Sequence, residues 1–354
     1  MSASTVTPQN YVPAFSMQVN YMPLSPDQAG SVMEISVTQQ LDPPNQFRFR
    51  LNDPTLALID PDDGTFTEGS RVEIAMGYVG NVQTVIVGEI AALAADFPNS
   101  GPATVEVQGF DLLHRLTRGT CYRKFDGPSA DSGLADSDIV SQIAGEMNLS
   151  PNVDPTPPRV RPRVQNNITN YAFLEEMAGA DGYYFWVDGD TLYFKQERPA
   201  PKTVELEWQK NLLSISFRLS TVGQVNTVEV RGWDPSQKQA FSAQAQRSDT
   251  GDLSSTGIEQ LSLGSGGDSE ILITDAPVDS ADEASDYADS FLLNQQQTLI
   301  TGHGTATGNT DIQVGSLLTL SGVGRFDGTY TARQVTHTFG ASGYQTSFEV
   351  QMTS

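Results

Sequence analysis

The sequence predicts a mainly β protein with α/β modules: two related antiparallel β-barrels plus small α+β domains. Three observations predict this. Apolar and polar residues alternate with period two over the first ~120 residues and again toward the C-terminus. Two helical patterns with their own strands interrupt that alternation. A pattern of three glycines and their following strands occurs twice, in the same order.

The first strands are "FSMQVNYM" (15–22), "SVMEISVTQQL" (31–41) and "NQFRFRLND" (45–53), separated by turn sequences such as "DPPN", "DPDDG" and "FPNSG". Short strands with turn signals at this spacing suit a barrel or sandwich. After Phe110 the character changes. "DLLHRL" (111–116) reads as a short helical turn. "SGLADSDIVSQIAGEMNLSP" reads as a helix of about a dozen residues, capped by Ser137 or Asp136 and stopped by Pro151. The proline-rich "PNVDPTPPRVRPRVQ" that follows reads as extended or linker-like. In "TNYAFLEEMAGADGYYFWVDGDTLYFKQE", Thr169 or Asn170 is a cap. Phe173, Leu174 and Met177 form an apolar stripe, and Gly182 ends the helix. "YYFWV" and "TLYFK" then form a hairpin around "DGD". Strands return with "VELEW", "LLSISFRLS" and "VNTVEVRGWDP". "GSGGDSE" is a flexible turn. "DSADEASDYADSFLLNQQQ" is a helix whose early acidic residues suit its dipole. Strands resume from Thr298.

The repeat sets "GSRVEI" (69–74), "VGEIAAL" (87–93) and "GPATVEV" (101–107) against "GSLLTL" (315–320), "DGTYTAR" (327–333) and "GYQTSFEV" (343–350). The domain reading follows: 1–120 a first barrel, 121–200 a small α/β module, 201–240 with 297–354 a second, split barrel, and 241–296 an inserted, acidic, partly helical segment.

Composition excludes several functions. The net charge is −23, with 20 Lys and Arg against 43 Asp and Glu and no dense basic cluster, which argues against tight nucleic-acid binding. Cys121 is the only cysteine, so neither an intrachain disulfide nor a cysteine-based zinc site is expected. The N-terminus lacks a signal-peptide pattern and no stretch is long and apolar enough for a transmembrane helix.

Candidate chemistry reads mostly as structure. His337 lies in "QVTHTFGASGYQT" with Val335 and Phe339 on one strand face, and Tyr344 is on the return strand, so His337 is a strand residue beside a hairpin. His114 packs at a strand-to-helix corner and His303 sits on a glycine-rich strand; the three have no metal-ligand spacing. "DPDDGTFTEG" puts acids at positions 1, 3 and 4 and glycine at 5, which fits a β-turn better than a calcium loop. Glu175 with Glu176, and the acids of 276–290, read as solvated helix faces rather than a glycosidase pair. Cys121, though flanked by Arg118 and Arg123, reads as inert. In "GWDP", Trp233 anchors a departing strand or lies at a subunit contact, and Asp234-Pro235 starts a turn. No catalytic residue, metal site or cofactor is predicted.

"VQGFDLLHRL" (107–116), "NYAFLEEMAGADGYYFWVDGDTLYF" (170–194), "VRGWDP" (230–235) and "GRFDGTYTARQVTHTFGASGYQTSFEV" (324–350) together resemble the phage late control protein D family. These are the central hub proteins of contractile tails, related to the hub half of the type VI spike protein. The resemblance runs from the end of the first barrel to the C-terminus; the N-terminal third matches only in pattern, and 240–297 hardly at all. It implies a homotrimer whose six barrels form a pseudo-six-fold ring, adapting a six-fold tail tube protein to a three-fold spike protein among other baseplate proteins. DNA or cargo would pass through the channel without specific binding. It further implies a place in a virion tail baseplate or injection particle, after synthesis in the host cytoplasm. Because this chain ends after the second barrel, a separate spike is expected. A tail-tip cell-wall hydrolase and a carbohydrate-binding β protein are the alternatives.

Overall fold

The computed structural model describes residues 12–353 except 42–43, 63, 128–132, 160–161, 198, 200–201, 221–224, 235–237, 247–269 and 275–280. The chain divides into two compact units. The first comprises Met1–Ala200, Gly308–Thr310 and Thr336–Gln345; the second comprises Pro201–Thr307, Asp311–Val335 and Thr346–Ser354. Each unit holds two hydrophobic cores, one in a barrel and one in an α/β region.

In unit 1 the barrel strands are β1 (Pro13–Val19), β2 (Met22–Pro23), β3 (Val32–Gln40), β4 (Gln46–Asn52), β5 (Arg71–Tyr78), β6 (Asn81–Asp96) and β7 (Thr104–Asp111). A short helix, α1 (Pro26–Gly30), lies between β2 and β3 and is closed by a capping box of Ser25 and Gln28. Sheet order is β3-β4-β7-β6-β5-β1-β2. The alternation in β4 explains the burial. Phe47, Phe49 and Leu51 point inward while Arg48 and Arg50 point to solvent. Phe47 needs a neighbour without a side chain: a Cβ on Gly109 would stand 2.3 Å from its Cζ.

The α/β region of unit 1 contains α2 (His114–Thr117), β8 (Cys121–Phe125), α3 (Asp136–Glu146), β9 (Ser150–Val153), β10 (Arg163–Ile168), α4 (Asn170–Asp181), β11 (Tyr184–Asp188) and β12 (Thr191–Lys195). The α4 stripe is as predicted: Phe173, Leu174 and Met177 are buried, Thr169 Oγ1 accepts from Ala172 N at 3.1 Å, and Gly182 ends the helix at φ +67°. The hairpin also forms, with β11 antiparallel to β12. Two expectations are corrected. The residue capping α3 is Ala135, with no side-chain cap; Ser137 and Asp136 lie inside the first turn, where they bond to Thr156 and to two arginines. The proline-rich stretch is not merely a linker: its ends form β9, parallel to β12, and β10, antiparallel to β8.

In unit 2 the barrel strands are β13 (Thr203–Glu207), β14 (Leu212–Leu219), and, past an insertion, β18 (Ile300–Thr307), β19 (Leu317–Ser321), β20 (Gly328–Gly340) and β21 (Gly343–Met352). The insertion holds β15 (Thr227–Asp234), β16 (Gln239–Gln246), β17 (Glu270–Ile273) and α5 (Ala281–Gln297). The barrel order is β14-β18-β21-β20-β19-β13, while β16-β15-β17 form a separate sheet. Val228 and Val230 of β15 share a core with Ala284, Ala288 and Leu292 of α5. The strand "VNTVEVRGWDP" therefore belongs with the insertion, and the first part of the second barrel stops near Leu219 rather than at 240.

Leaving out the two-residue β2 and numbering the strands within each barrel, both barrels have the order second, third, sixth, fifth, fourth, first. The repeat visible in the sequence is thus a repeat of topology. Its most exact element is the Gly-Ser turn. Gly69 has φ +80° and Gly315 +82°. Gly69 N donates to Ile90 O (2.9 Å) and Ile90 N to Ser70 O (3.0 Å). Gly315 N donates to Ala332 O (2.8 Å) and Ala332 N to Ser316 O (2.9 Å). Both serines are buried. This pairing makes Ile90 the counterpart of Ala332. The second glycines of the repeat are therefore not counterparts: Gly88 lies opposite Val72, two residues after Ser70, where Tyr330 lies opposite Leu318.

Candidate functional site

His337 and Tyr344 are brought together. Both are buried, and Tyr344 Oη lies 2.9 Å from His337 Nδ1. They belong to residues 336–345, which sit in unit 1. Tyr344 joins the barrel core there, its ring 5.9 Å from that of Tyr78. Phe339 meets Phe15 edge-on at 5.0 Å, and Thr336 Oγ1 is 3.1 Å from Thr38 Oγ1. Tyr78 Oη donates to Gly308 O, and Gly308 N to Tyr344 O. This is the tip of the β20–β21 hairpin laid along β3, with both side chains buried.

Trp233 is elsewhere, 58% exposed near the end of β15 opposite Ala240. Asp234 ends the strand opposite Gln239, and Pro235 lies outside the described residues, as does "GSGGDS".

The sequence reading missed the chemistry of the corner after β7. Asp111 is buried, accepts from Asn45 N at 3.0 Å through Oδ2, and has no hydrogen-bond partner for Oδ1 among the described residues. Burial pushes its carboxyl up to about 6, against the amides of Asn45 and Leu113, which lower it. His114 Nδ1 is 2.6 Å from Asp111 O, and its Nε2 lies 3.5 Å from Glu89, which also pairs with Arg115. Burial lowers the His114 pKa, favouring the neutral ring. The one available signal was the Asp-x-x-His spacing over a strand-to-helix corner.

A second cluster ties the α/β region together. Asp136, fully buried, takes Arg159 Nη2 at 2.6 Å and Arg163 Nη2 at 2.7 Å, and Arg159 also reaches Asp181. Burial alone would raise Asp136; the two guanidiniums more than reverse it, and its pKa is lowered. These arginines are occupied in structure and present no free cationic pair.

The remaining candidates stay apart. His303 is exposed on β18. Glu175 and Glu176 are exposed on α4. Asp60 closes a turn, accepting from Asp62 N at 2.9 Å and Gly64 N at 2.8 Å, as an Asx-type turn does. No group of metal-ligating side chains occurs among the described residues, and no described helix is long and apolar enough to cross a membrane.

Unit 2 carries an open cavity of about 400 Å³ lined by Trp208, Ile215, Phe217, Gly322, Val323 and Phe326. Phe217 and Phe326 stack at 4.7 Å. It has no charged side chain in its lining and flanks β14, which ends the sheet order.

Comparison with known proteins places this architecture. A family model described as the Alg8 N-terminal domain matches residues 15–340. No curated protein matches by sequence. Among solved structures, a 43 kDa tail protein of prophage MuSo2 from Shewanella oneidensis is similar at TM-score 0.71 and 13% identity, over 96% of this chain and 98% of that one. A tail protein from Neisseria meningitidis gives 0.64 and 15%, over 96% and 97%. An Escherichia coli component of the type VI secretion system gives 0.50 and 12%, over 92% and 74%.

Proposed function

We propose, from the premise that the chain belongs to the Alg8 N-terminal domain family, that it is a structural protein of a tail or injection-system baseplate, acting as its hub. Three copies would present six barrels. That ring would meet a six-fold tail tube on one side and a three-fold spike on the other, and line the channel between them. The observation that carries this reading is the duplicated barrel, with one strand order and one Gly-Ser turn in both halves. A chain with two equivalent barrels is the economical way for a trimer to offer six similar sites.

The similar solved structures support it, since they are described as tail proteins and as a type VI secretion component. The residues resembling the late control protein D family point the same way. The role is mechanical and not catalytic: the buried histidines and carboxylates described above are each held in packing or turns. A net charge of −23 suits a wall past which nucleic acid or acidic cargo slides without adhering.

Light scattering on the purified chain across concentration and salt tests the reading. A mass near three times 38.2 kDa is expected. A monomer under all conditions, together with glycan binding or cell-wall hydrolysis by the pure protein, would replace it with one of the two alternatives.

A further inference from the structure

Among the strand edges left open by the described residues, two are counterparts of edges that are paired in unit 1. The far end of β20 is hydrogen-bonded to β3, carrying Phe339 against Phe15 and Tyr344 against Tyr78. In the barrel numbering, β6 corresponds to β20 and β14 to β3. Pairing of β5 with β6 ends at Arg71–Glu89 and the Gly-Ser turn, so beyond Ile90 the β5-facing edge of β6 has no strand beside it among the described residues. The residues there, Ala91 to Asp96, are mostly exposed, and Phe97 is 66% exposed. At the other site, β14 has β18 on one side and ends the sheet on the other.

The side chains match as well. Phe97 stands seven residues after Ile90, and Phe339 stands seven after Ala332, the two residues that make the same bonds to their Gly-Ser turns. In unit 1 Tyr344 meets Tyr78, where β5 ends and its turn begins, and Phe339 meets Phe15, which lies opposite Met76 of β5 two residues earlier. The end of β19 is the corresponding place in unit 2. There Gly322, Val323 and Phe326, with Trp208, Ile215 and Phe217, leave the open aromatic cavity.

We infer that residues 91–102 of one copy dock on unit 2 of a second copy, with β6 adding to the free edge of β14 and Phe97 entering the cavity at Trp208, Phe217 and Phe326. The contact is head-to-tail: donor and acceptor surfaces differ, so each copy uses one of each, and repetition generates a ring or a filament. Unpaired main-chain groups supply the pairing and the aromatic knob supplies the register. Closure at three rests on the hub reading above; the contact itself does not.

The test uses the full chain in a Cys121→Ser background, with Phe97→Cys on one preparation and Val323→Cys on another, and a short bismaleimide as cross-linker. The mixture is expected to give a covalent dimer and neither preparation alone. A chain carrying both substitutions gives a ladder ending at three. Phe97→Asp, at an exposed position, is expected to reduce the mass from three chains to one while the circular dichroism spectrum of the folded chain is retained. If the wild type is trimeric but the mixture does not cross-link and Phe97→Asp stays trimeric, this interface is wrong and the hub reading stands. A cross-linked ladder that runs past three supports the contact and overturns the closed trimer. A wild type that is monomeric at every concentration overturns both.

Discussion

The two barrels share strand order and the Gly-Ser turn, yet differ in three ways. Beside the strand that opens with Gly-Ser, β1 runs antiparallel to β5, whereas β13 runs parallel to β19. Between the second and third strands the first barrel has a short loop, 41–45, where the second carries the whole β15–α5 insertion. And β3 is covered by the tip of β20, whereas β14 has no strand on its outer side among the described residues. What stays fixed is the central meander and its turn; what varies is at the edges and in the loops. Loop length is thermodynamically inexpensive, because closure entropy grows only with its logarithm. A left-handed glycine with paired amides has no comparable freedom.

The largest expected effect breaks the comparison at the hairpin tips. Tyr344→Ala removes a buried ring from the unit 1 core and is expected to cost about 3–5 kcal/mol in urea unfolding. Phe97→Ala, at its exposed counterpart hairpin, is expected to change monomer stability by no more than about 0.5 kcal/mol. Equal losses at both would mean that the tip of 94–102 is already covered within one chain.

Next comes the corner after β7, which has a buried carboxyl. The Asp111 pKa is raised from 3.8 to about 6, so its stabilising contribution is full below 3.8 and lost as pH rises through about 6. His114 acts oppositely. Its pKa is lowered by burial, so its contribution is full above 6.5 and lost as pH falls below that. Asp111→Asn is therefore expected to be more stable than wild type at pH 7, by up to about 3 kcal/mol. Between about pH 4 and 6 its stability relative to wild type should rise with pH, because the variant lacks the falling contribution of the Asp111 carboxyl. A variant less stable than wild type at pH 7 would show that the Asp111 carboxylate is satisfied in place.

The smallest effect sharpens the comparison. Gly69→Ala and Gly315→Ala each force a left-handed conformation onto a residue with a Cβ, with open space around it. Each should lower stability by about 1 kcal/mol, and the two should agree within about 0.5 kcal/mol in thermal unfolding. A clear inequality would mean that the turns are alike only in hydrogen bonding.

Local patterns were legible in the sequence. The Phe173, Leu174 and Met177 stripe with Gly182 located α4, because helix period and a left-handed stop are both local signals. The Gly-Ser repeat was legible for the same reason, although aligning glycine with glycine misplaced Gly88 against Gly328. Pairings that join distant segments were not legible. β9 hides in a proline-rich run because its parallel partner β12 lies about forty residues on. β15 looks like one more barrel strand because alternation does not say which sheet a strand joins. His337 was correctly placed beside a hairpin, but nothing near it in sequence tells that its tip packs in unit 1.

That tip has a consequence for biogenesis. The first barrel is made before the second, yet its core includes Tyr344. Domains usually fold as units while synthesis proceeds from the N-terminus. Here the ribosome must pass residue 345 before the first barrel can finish, and a prematurely terminated product would leave β3 and Phe15 uncovered. The core of the first barrel is therefore complete only once the hairpin that carries Tyr344 has been made.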